Sequence, residues 1–190
     1  MEYYQEVTIL QNEEIAENFL LAKVFMQIHL AIATQKNKDA GKCYGITFPK
    51  YHDLGLGDKI RIFSDSRENV EALNLKSYLA KLSDYVHLIN PRIIPKARVK
   101  GYVKFVRVHP ENSPGCLARR YAKRHNVSFA EAMDRYEGME KVCKKPYVIL
   151  NSLSNKNRFS LFIDRCYIEN DDGGEFSCYG LSEGGVLPDF

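Results

Sequence analysis

The residues that could do chemistry fall into two groups, five histidines and one crowded run of cations. The histidines are His29, His52, His87, His109 and His125. The cations lie between Arg98 and His125: Arg98, Lys100, Lys104, Arg107, Arg119, Arg120, Lys123 and Arg124, against one acid, Glu111. The whole chain of 190 residues carries only +3, so everything outside this segment is net acidic. Positive charge gathered into one stretch of an otherwise acidic chain points to a polyanionic partner. A nucleic acid can be cut with clustered carboxylates that hold metal ions, or without metal if the polymer supplies its own nucleophile. No carboxylate cluster of that kind is apparent. Asp171-Asp172 abuts Gly173-Gly174 and reads as a hairpin turn. Metal-free cleavage then needs RNA, whose 2′-OH is an internal nucleophile. What it asks of the protein is a base, a group that fixes the 2′-OH, and cations for the phosphate.

His29 is the candidate base. It sits late in a helical stretch, in Phe25-Met26-Gln27-Ile28-His29-Leu30, well round from the wet side marked by Lys23 and Gln27. Two readings stand at this level. It is a partly buried histidine with its hydrogen bonds satisfied, or a general base near neutral pH held on a rigid element.

The elements that must position these groups are read in order. Tyr4 to Leu10 is a strand, and a helix follows from Asn12 or Glu13 to about Thr34, with acids in its first turn. Gly45 to Phe48 is a short strand, Lys59 to Phe63 alternates like one, Glu68 to Leu82 is a helix, and Val86 to Ile89 is a fourth strand. The order β-α-β-β-α-β is that of a ferredoxin-like half. Pro91 to Pro95 marks a boundary. The expected fold is therefore α+β, with a ferredoxin-like domain over residues 1–93. Residues 94–190 form a C-terminal domain with an arginine-rich helix and a small β-sheet. In that second part Tyr102 to Val108 is a strand. Ser113 and Pro114 can cap and open a helix. At about 100° per residue, Arg119, Arg120, Lys123 and Arg124 share one arc, and Leu117, Ala118, Tyr121 and Ala122 the other. No acid lies between Gly115 and His125 to neutralise the ridge along the helix. Asn126-Val127 breaks the helix, and Ser128 to Glu131 is a capping box opening another. Tyr147 to Leu150 and Arg158 to Ile163 are strands joined by a polar turn, Asn151 to Asn157. Glu175 to Tyr179 is a last strand, before a flexible glycine-rich turn over Gly180 to Gly185.

Composition bounds the rest. Five cysteines with no CxxC pair exclude a disulfide framework and point to a reducing cytoplasm. No apolar run reaches membrane-spanning length, and the N-terminus lacks a signal-peptide pattern. No cofactor and no metal are expected. Twelve Tyr and ten Phe with no Trp leave aromatic rings to spare for stacking on bases.

Several pieces, in order along nearly the whole chain, resemble the CRISPR-associated endoribonucleases of type I-F systems, the Csy-type repeat-processing enzymes. They are the helix-borne His29, Gly45-Ile46-Thr47-Phe48-Pro49, and Arg119 to His125. Ser152-x-Ser154 with Arg158-Phe159-Ser160-Leu161-Phe162-Ile163 follows. The strongest is Phe176-Ser177-Cys178-Tyr179-Gly180-Leu181-Ser182-Glu183-Gly184-Gly185, ending Pro188-Asp189-Phe190. The resemblance implies an enzyme that binds the stem-loop of CRISPR repeat RNA and cuts at the base of the stem without metal. It leaves a cyclic phosphate and a 5′-hydroxyl, stays on its product and joins other CRISPR-associated subunits in a surveillance complex. It also implies roles. His29 is the catalytic histidine, Ser152 constrains the 2′-OH, and Tyr179 orients the histidine. Phe159 stacks beneath the last stem pair, Arg107 reads a base at the stem's foot, and the ridge of Arg119, Arg120, Lys123 and Arg124 enters the hairpin's groove. Ser154 and Asn155 complete the expected RNA contacts. Two departures are visible. The partner of Arg107 two residues on is commonly Gln and here is His109, and Cys116 and Ala118 thin the basic helix. The alternative is a non-catalytic subunit that grips an RNA hairpin with the same fold. A third reading is a ferredoxin-like regulator of another RNA.

Overall fold

A computed structural model describes residues 1–110, 114–138, 143–152, 157–169 and 173–190. The chain is mixed α/β with antiparallel sheets, and its packing separates two compact units. One comprises Met1–Arg107 with Lys145–Phe190, the other Val108–Lys144. These units do not follow the 93/94 boundary expected from sequence.

In the first unit, β1 (Tyr3–Ile9) lies between β3 (Lys59–Ser64) and β4 (Val86–Leu88), with β2 (Gly45–Thr47) outside β3. All these pairings are antiparallel. Val7 faces Ile60 on one side and Leu88 on the other. The alternation read in Lys59 to Phe63 is real at its start: Ile60 and Ile62 are fully buried, Lys59 and Arg61 less so. The Pro-rich stretch after β4 is not a free linker, because β5 (Arg92–Ile93) pairs with Tyr3 and Tyr4 of β1.

The long helix, α1 (Glu17–Lys38), begins and ends about four residues later than expected. Asn12 explains the start. Its Oδ1 accepts from the backbone N–H of Glu14 (2.8 Å) and Ile15 (2.9 Å), a local turn that competes with helix. The second expected helix is broken. Ser66 caps α2 (Arg67–Ala72), accepting from Asn69 N at 3.2 Å. Asn74 then turns left-handed at φ 47° before α3 (Leu75–Tyr78) and a 3₁₀ segment over Ala80–Tyr85. The spacings Val70 to Leu73 and Leu75, Leu79, Leu82 are each helical, and the two-residue step from Leu73 to Leu75 falls at the break. The break buries Leu73, Leu75 and Leu79, and Asn tolerates the left-handed turn that it needs.

The second sheet runs β11 (Leu187–Asp189), β6 (Gly101–Val108), β8 (Arg158–Ile168), β7 (Tyr147–Asn151). β8 is five residues longer than the expected strand. The C-terminal reading needs more correction. The strand expected over Glu175 to Tyr179 is only β9 (Glu175–Phe176), and Cys178 and Tyr179 lie in a turn. The stretch expected to be flexible contains β10 (Ser182–Glu183), which pairs with β9. Buried residues of α1, among them Leu21, Val24, Phe25 and Ile28, share one core with Val7 and Ile60 of the first sheet. Val103, Phe105, Val148 and Leu161 of the second sheet belong to the same core. The helix that carries His29 is therefore fixed on two sides by apolar burial, the dominant favourable term in folding.

The second unit holds α4 (Pro114–His125) and α5 (Phe129–Asp134). Pro114 is the first helical residue, and Asn126 at φ 53° ends the helix. The Ser128 capping box is formed, with Oγ accepting from Glu131 N at 3.2 Å and the Glu131 carboxylate accepting from Ser128 N at 3.1 Å. Ala118 and Ala132 are fully buried. The expected cap Ser113, the turn residues Asp171 and Asp172, and Ser154 and Asn155 lie outside the described residues.

Candidate functional site

His29 lies in the fourth turn of α1, half-buried, with its Nδ1 2.9 Å from the carbonyl oxygen of Cys178. A carbonyl only accepts, so Nδ1 carries the hydrogen and donates it. In the neutral ring Nε2 is then left with its lone pair. The Tyr179 ring lies flat against the imidazole, centroids 4.0 Å apart and planes 14° apart, and Phe25, one turn before His29 on α1, lies parallel to the same tyrosine at 6.4 Å. Burial lowers the His29 pKa below the ordinary histidine value, and the carbonyl bond, which favours the cation, only partly offsets it. The arrangement holds the ring neutral, in one tautomer and one orientation. Those are the properties of a proton acceptor at neutral pH.

A cleft of about 230 Å³ opens beside this ring. It is lined by Met26 and His29 of α1, Leu150, Asn151 and Ser152 at the end of β7, Phe159 of β8, and Tyr179. The β7–β8 hairpin supplies the positions: Leu150 faces Phe159, Asn151 faces Arg158, and Ser152 N donates to Asn157 O at 2.8 Å. Arg107, exposed near the end of neighbouring β6, has its guanidinium 6.0 Å from the Phe159 ring centre. Four residues singled out in the sequence, His29, Ser152, Phe159 and Tyr179, thus meet at one cleft, with Arg107 at its aromatic edge. Burial raises the Tyr179 phenol above its usual pKa, Cys178 adding to the rise and Arg107 opposing it. The phenol stays protonated at neutral pH. A larger cavity of about 650 Å³, lined by Met1, Cys43, Lys96 and Tyr102 among others, includes none of these residues.

The sequence did not reveal three parts of this site. Met26 and Asn151 line the cleft but carry no signal of their own. The Cys178 carbonyl is a backbone group, and no residue type announces it.

The second unit carries the ridge. Arg119, Arg120, Lys123 and Arg124 are exposed, while Leu117, Tyr121 and Ala122 are partly covered. Among the described residues none of the four cations is ion-paired. Tyr121 organises the inner side. It stacks on His125 at 4.2 Å, and its hydroxyl accepts from Arg135 at 3.0 Å. Arg119 has its guanidinium 6.0 Å from the ring centre of Phe129. Arginines without an acidic partner on a rigid helix are suited to phosphate, which the planar guanidinium binds through two hydrogen bonds. His109 is exposed at the start of this unit. Among the described residues no group of three or more His, Cys, Asp or Glu could hold a metal ion, and no helix is long and apolar enough to cross a membrane.

Residues 4–190 match the family described as CRISPR-associated protein (Cas_Csy4). The chain is 30% identical over 195 residues to a protein of Pseudomonas aeruginosa (strain UCBPP-PA14) named "CRISPR-associated endonuclease Cas6/Csy4". It is 28% identical over 192 residues to a protein of the same name from Escherichia coli (strain UTI89 / UPEC). Both alignments cover 100% of each chain. A solved structure titled "Characterization of a Cas6-related gene from Pyrococcus furiosus" aligns over 99% of this chain and 98% of its own, at 13% identity and a TM-score of 0.34.

Proposed function

The chain belongs to the Cas_Csy4 family of CRISPR-associated proteins, and on that premise we propose that it is an endoribonuclease that processes CRISPR repeat RNA. The names of its two full-length relatives support the nuclease. The finer reading is our own: the protein binds the stem-loop of the repeat, cuts at the base of the stem without metal, and keeps its product. Its further partners would be other CRISPR-associated subunits in the cytoplasm. In that reading residues 1–93 form a ferredoxin-like domain and residues 94–190 the RNA-binding domain.

The observation that carries the reading is His29 with Nδ1 committed to a carbonyl and Nε2 left as acceptor, beside a cleft that Ser152 also lines. The 2′-OH of the nucleotide before the cut enters the cleft. Nε2 takes its proton as the oxygen attacks the adjacent phosphorus. The bond from phosphorus to the 5′-oxygen breaks and that oxygen takes a proton from water, leaving a 2′,3′-cyclic phosphate on one product and a 5′-hydroxyl on the other. Ser152 holds the attacking hydroxyl, and Tyr179 keeps the imidazole in plane. Phe159 offers a face to the last stem pair, and Arg107 at its edge reads a base at the stem's foot. Arg119, Arg120, Lys123 and Arg124 grip phosphates of the stem, while Ser154, Asn155 and His109 make further RNA contacts.

The test uses the host's repeat RNA in EDTA. Wild type should cut it. His29→Ala should lose roughly 10²–10⁴-fold in rate, the usual worth of a positioned base, with binding near wild type. A 2′-deoxy nucleotide at the cut should block cleavage while leaving binding intact. Binding without cleavage by wild type would make the protein a structural RNA-gripping subunit. Cleavage of the 2′-deoxy substrate would remove the 2′-OH from the mechanism.

A further inference from the structure

Lys36 lies seven residues after His29 on α1, nearly two full turns at about 100° per residue, so both side chains leave the same face. Its ammonium donates to the carbonyl of Phe176, and to that of Ser177 at 3.4 Å. These carbonyls open the turn that ends at His29's two partners. Ser177 closes the same turn from inside. Its Oγ accepts from Tyr179 N at 3.3 Å and Leu181 N at 3.2 Å, and its own N–H donates to Leu181 O at 2.8 Å. Gly180 completes the turn at φ +71°. A Cβ there would stand 2.7 Å from Ile46 Cγ1, and its carbonyl accepts from Ile46 N at 2.8 Å. The turn is tied to itself by Ser177, to β2 through Gly180, and to the histidine's own helix through Lys36. What it delivers is one carbonyl to Nδ1 and one aromatic ring to the imidazole face.

We propose that Lys36 and Ser177 are positioning residues that set the tautomer of His29 by fixing the 176–181 turn. Neither touches the imidazole. Lys36 makes the histidine and its turn parts of one body, so that motion of the turn relative to α1 does not release Nδ1. Released, the ring would carry its hydrogen on either nitrogen. The fraction with the hydrogen on Nε2 cannot accept a proton there. The consequence for cleavage rests on the function proposed above; the tautomer itself does not.

Two-bond ¹H–¹⁵N correlation spectra of the His29 ring, recorded above its pKa, read the tautomer directly. Wild type should show hydrogen on Nδ1 alone. Lys36→Met and Ser177→Ala should each show a mixture. Their single-turnover cleavage of repeat RNA should drop in step with the fraction of rings that lose hydrogen from Nδ1, short of the roughly 10²–10⁴-fold that a positioned base contributes, with hairpin affinity unchanged. Lys36→Arg and Ser177→Thr, which keep the donor and the hydroxyl, should restore both signals. A single Nδ1–H tautomer and wild-type rate in folded Lys36→Met and Ser177→Ala would overturn the proposal. If Lys36→Met fails to fold, Lys36→Ala, which also removes the donor, is read in the same way. If wild type cuts no RNA, the functional reading fails, and the ring spectra alone decide this one.

Discussion

Replacing Arg119, Arg120, Lys123 and Arg124 together with Ala tests the proposed grip on RNA with a magnitude that follows from the structure. All four are exposed, and among the described residues none is ion-paired. Their removal therefore breaks no internal salt bridge, and Ala is the best helix former. Stability should stay within about 0.5 kcal/mol of wild type at each site. Every phosphate that the variant can no longer neutralise takes about 0.7–0.9 off the slope of log affinity against log salt, so four take off about 3. Between 50 and 200 mM salt, wild type should then lose roughly 60-fold more affinity than the variant. Fluorescence anisotropy on a labelled repeat hairpin across that salt range gives both slopes. A control in which Lys38, Lys50, Lys76 and Lys81, also exposed, become Ala removes the same charge elsewhere and should leave the slope near wild type. Equal slopes for ridge variant and wild type would refute the reasoning and leave α4 as a solvated helix.

Two further outcomes follow from buried titrations. In the free protein the His29 ring should titrate below the ordinary value of about 6.5, and Tyr179→Ala, which uncovers it, should raise the midpoint. NMR of the ring proton checks both, and an unmoved midpoint would deny burial its role. Between the two pKa values the unfolded chain binds more protons, so this histidine's contribution makes stability rise with pH through that window. Glu6 behaves with the opposite charge. Burial pushes its carboxyl up, but hydrogen bonds from Arg61 at 2.6 Å and Lys59 at 3.0 Å more than reverse it, so its pKa lies below the usual carboxylate range. Arg61 also stacks on Phe190 at 4.2 Å. Arg61→Met should cost about 2–3 kcal/mol in urea unfolding near neutral pH, the worth of a charged hydrogen bond taken from a covered site. That gap should shrink as pH falls below about 4.5 toward the folded pKa of Glu6, where the pairing is lost in wild type too. A gap independent of pH would place the cost in packing.

How far the sequence reached depended on whether a feature is written in side chains. The α4 ridge was legible because Pro114 marks its start, Asn126 its end, and charge its outer face. His29 was legible as a candidate because Lys23 and Gln27 mark a wet side of its helix and it lies well round from them, although the choice between base and core histidine was not. The break in the second expected helix was hidden because the apolar residues on either side of it, Val70 to Leu73 and Leu75 to Leu79, keep helical spacing, and the turn itself lies in the φ of Asn74. Tyr179 was found, but in the wrong element. Five residues from Glu175 look like strand, and the hydrogen bonds of Ser177 that turn them are local and silent in composition. The partner of His29 was beyond reach, since a main-chain oxygen far along the chain has no residue type to betray it.

That distance has a consequence in time. His29 and Cys178 are 149 positions apart, and a ribosome delivers them in that order. Through most of synthesis the imidazole exists with nothing to face it, while the cationic helix, complete by His125, is already out. On the function proposed above, a growing chain would offer its cations to RNA before it has the fixed base with which to cut. In that reading cleavage would wait for the Ser177 turn, which is made late in the life of each molecule.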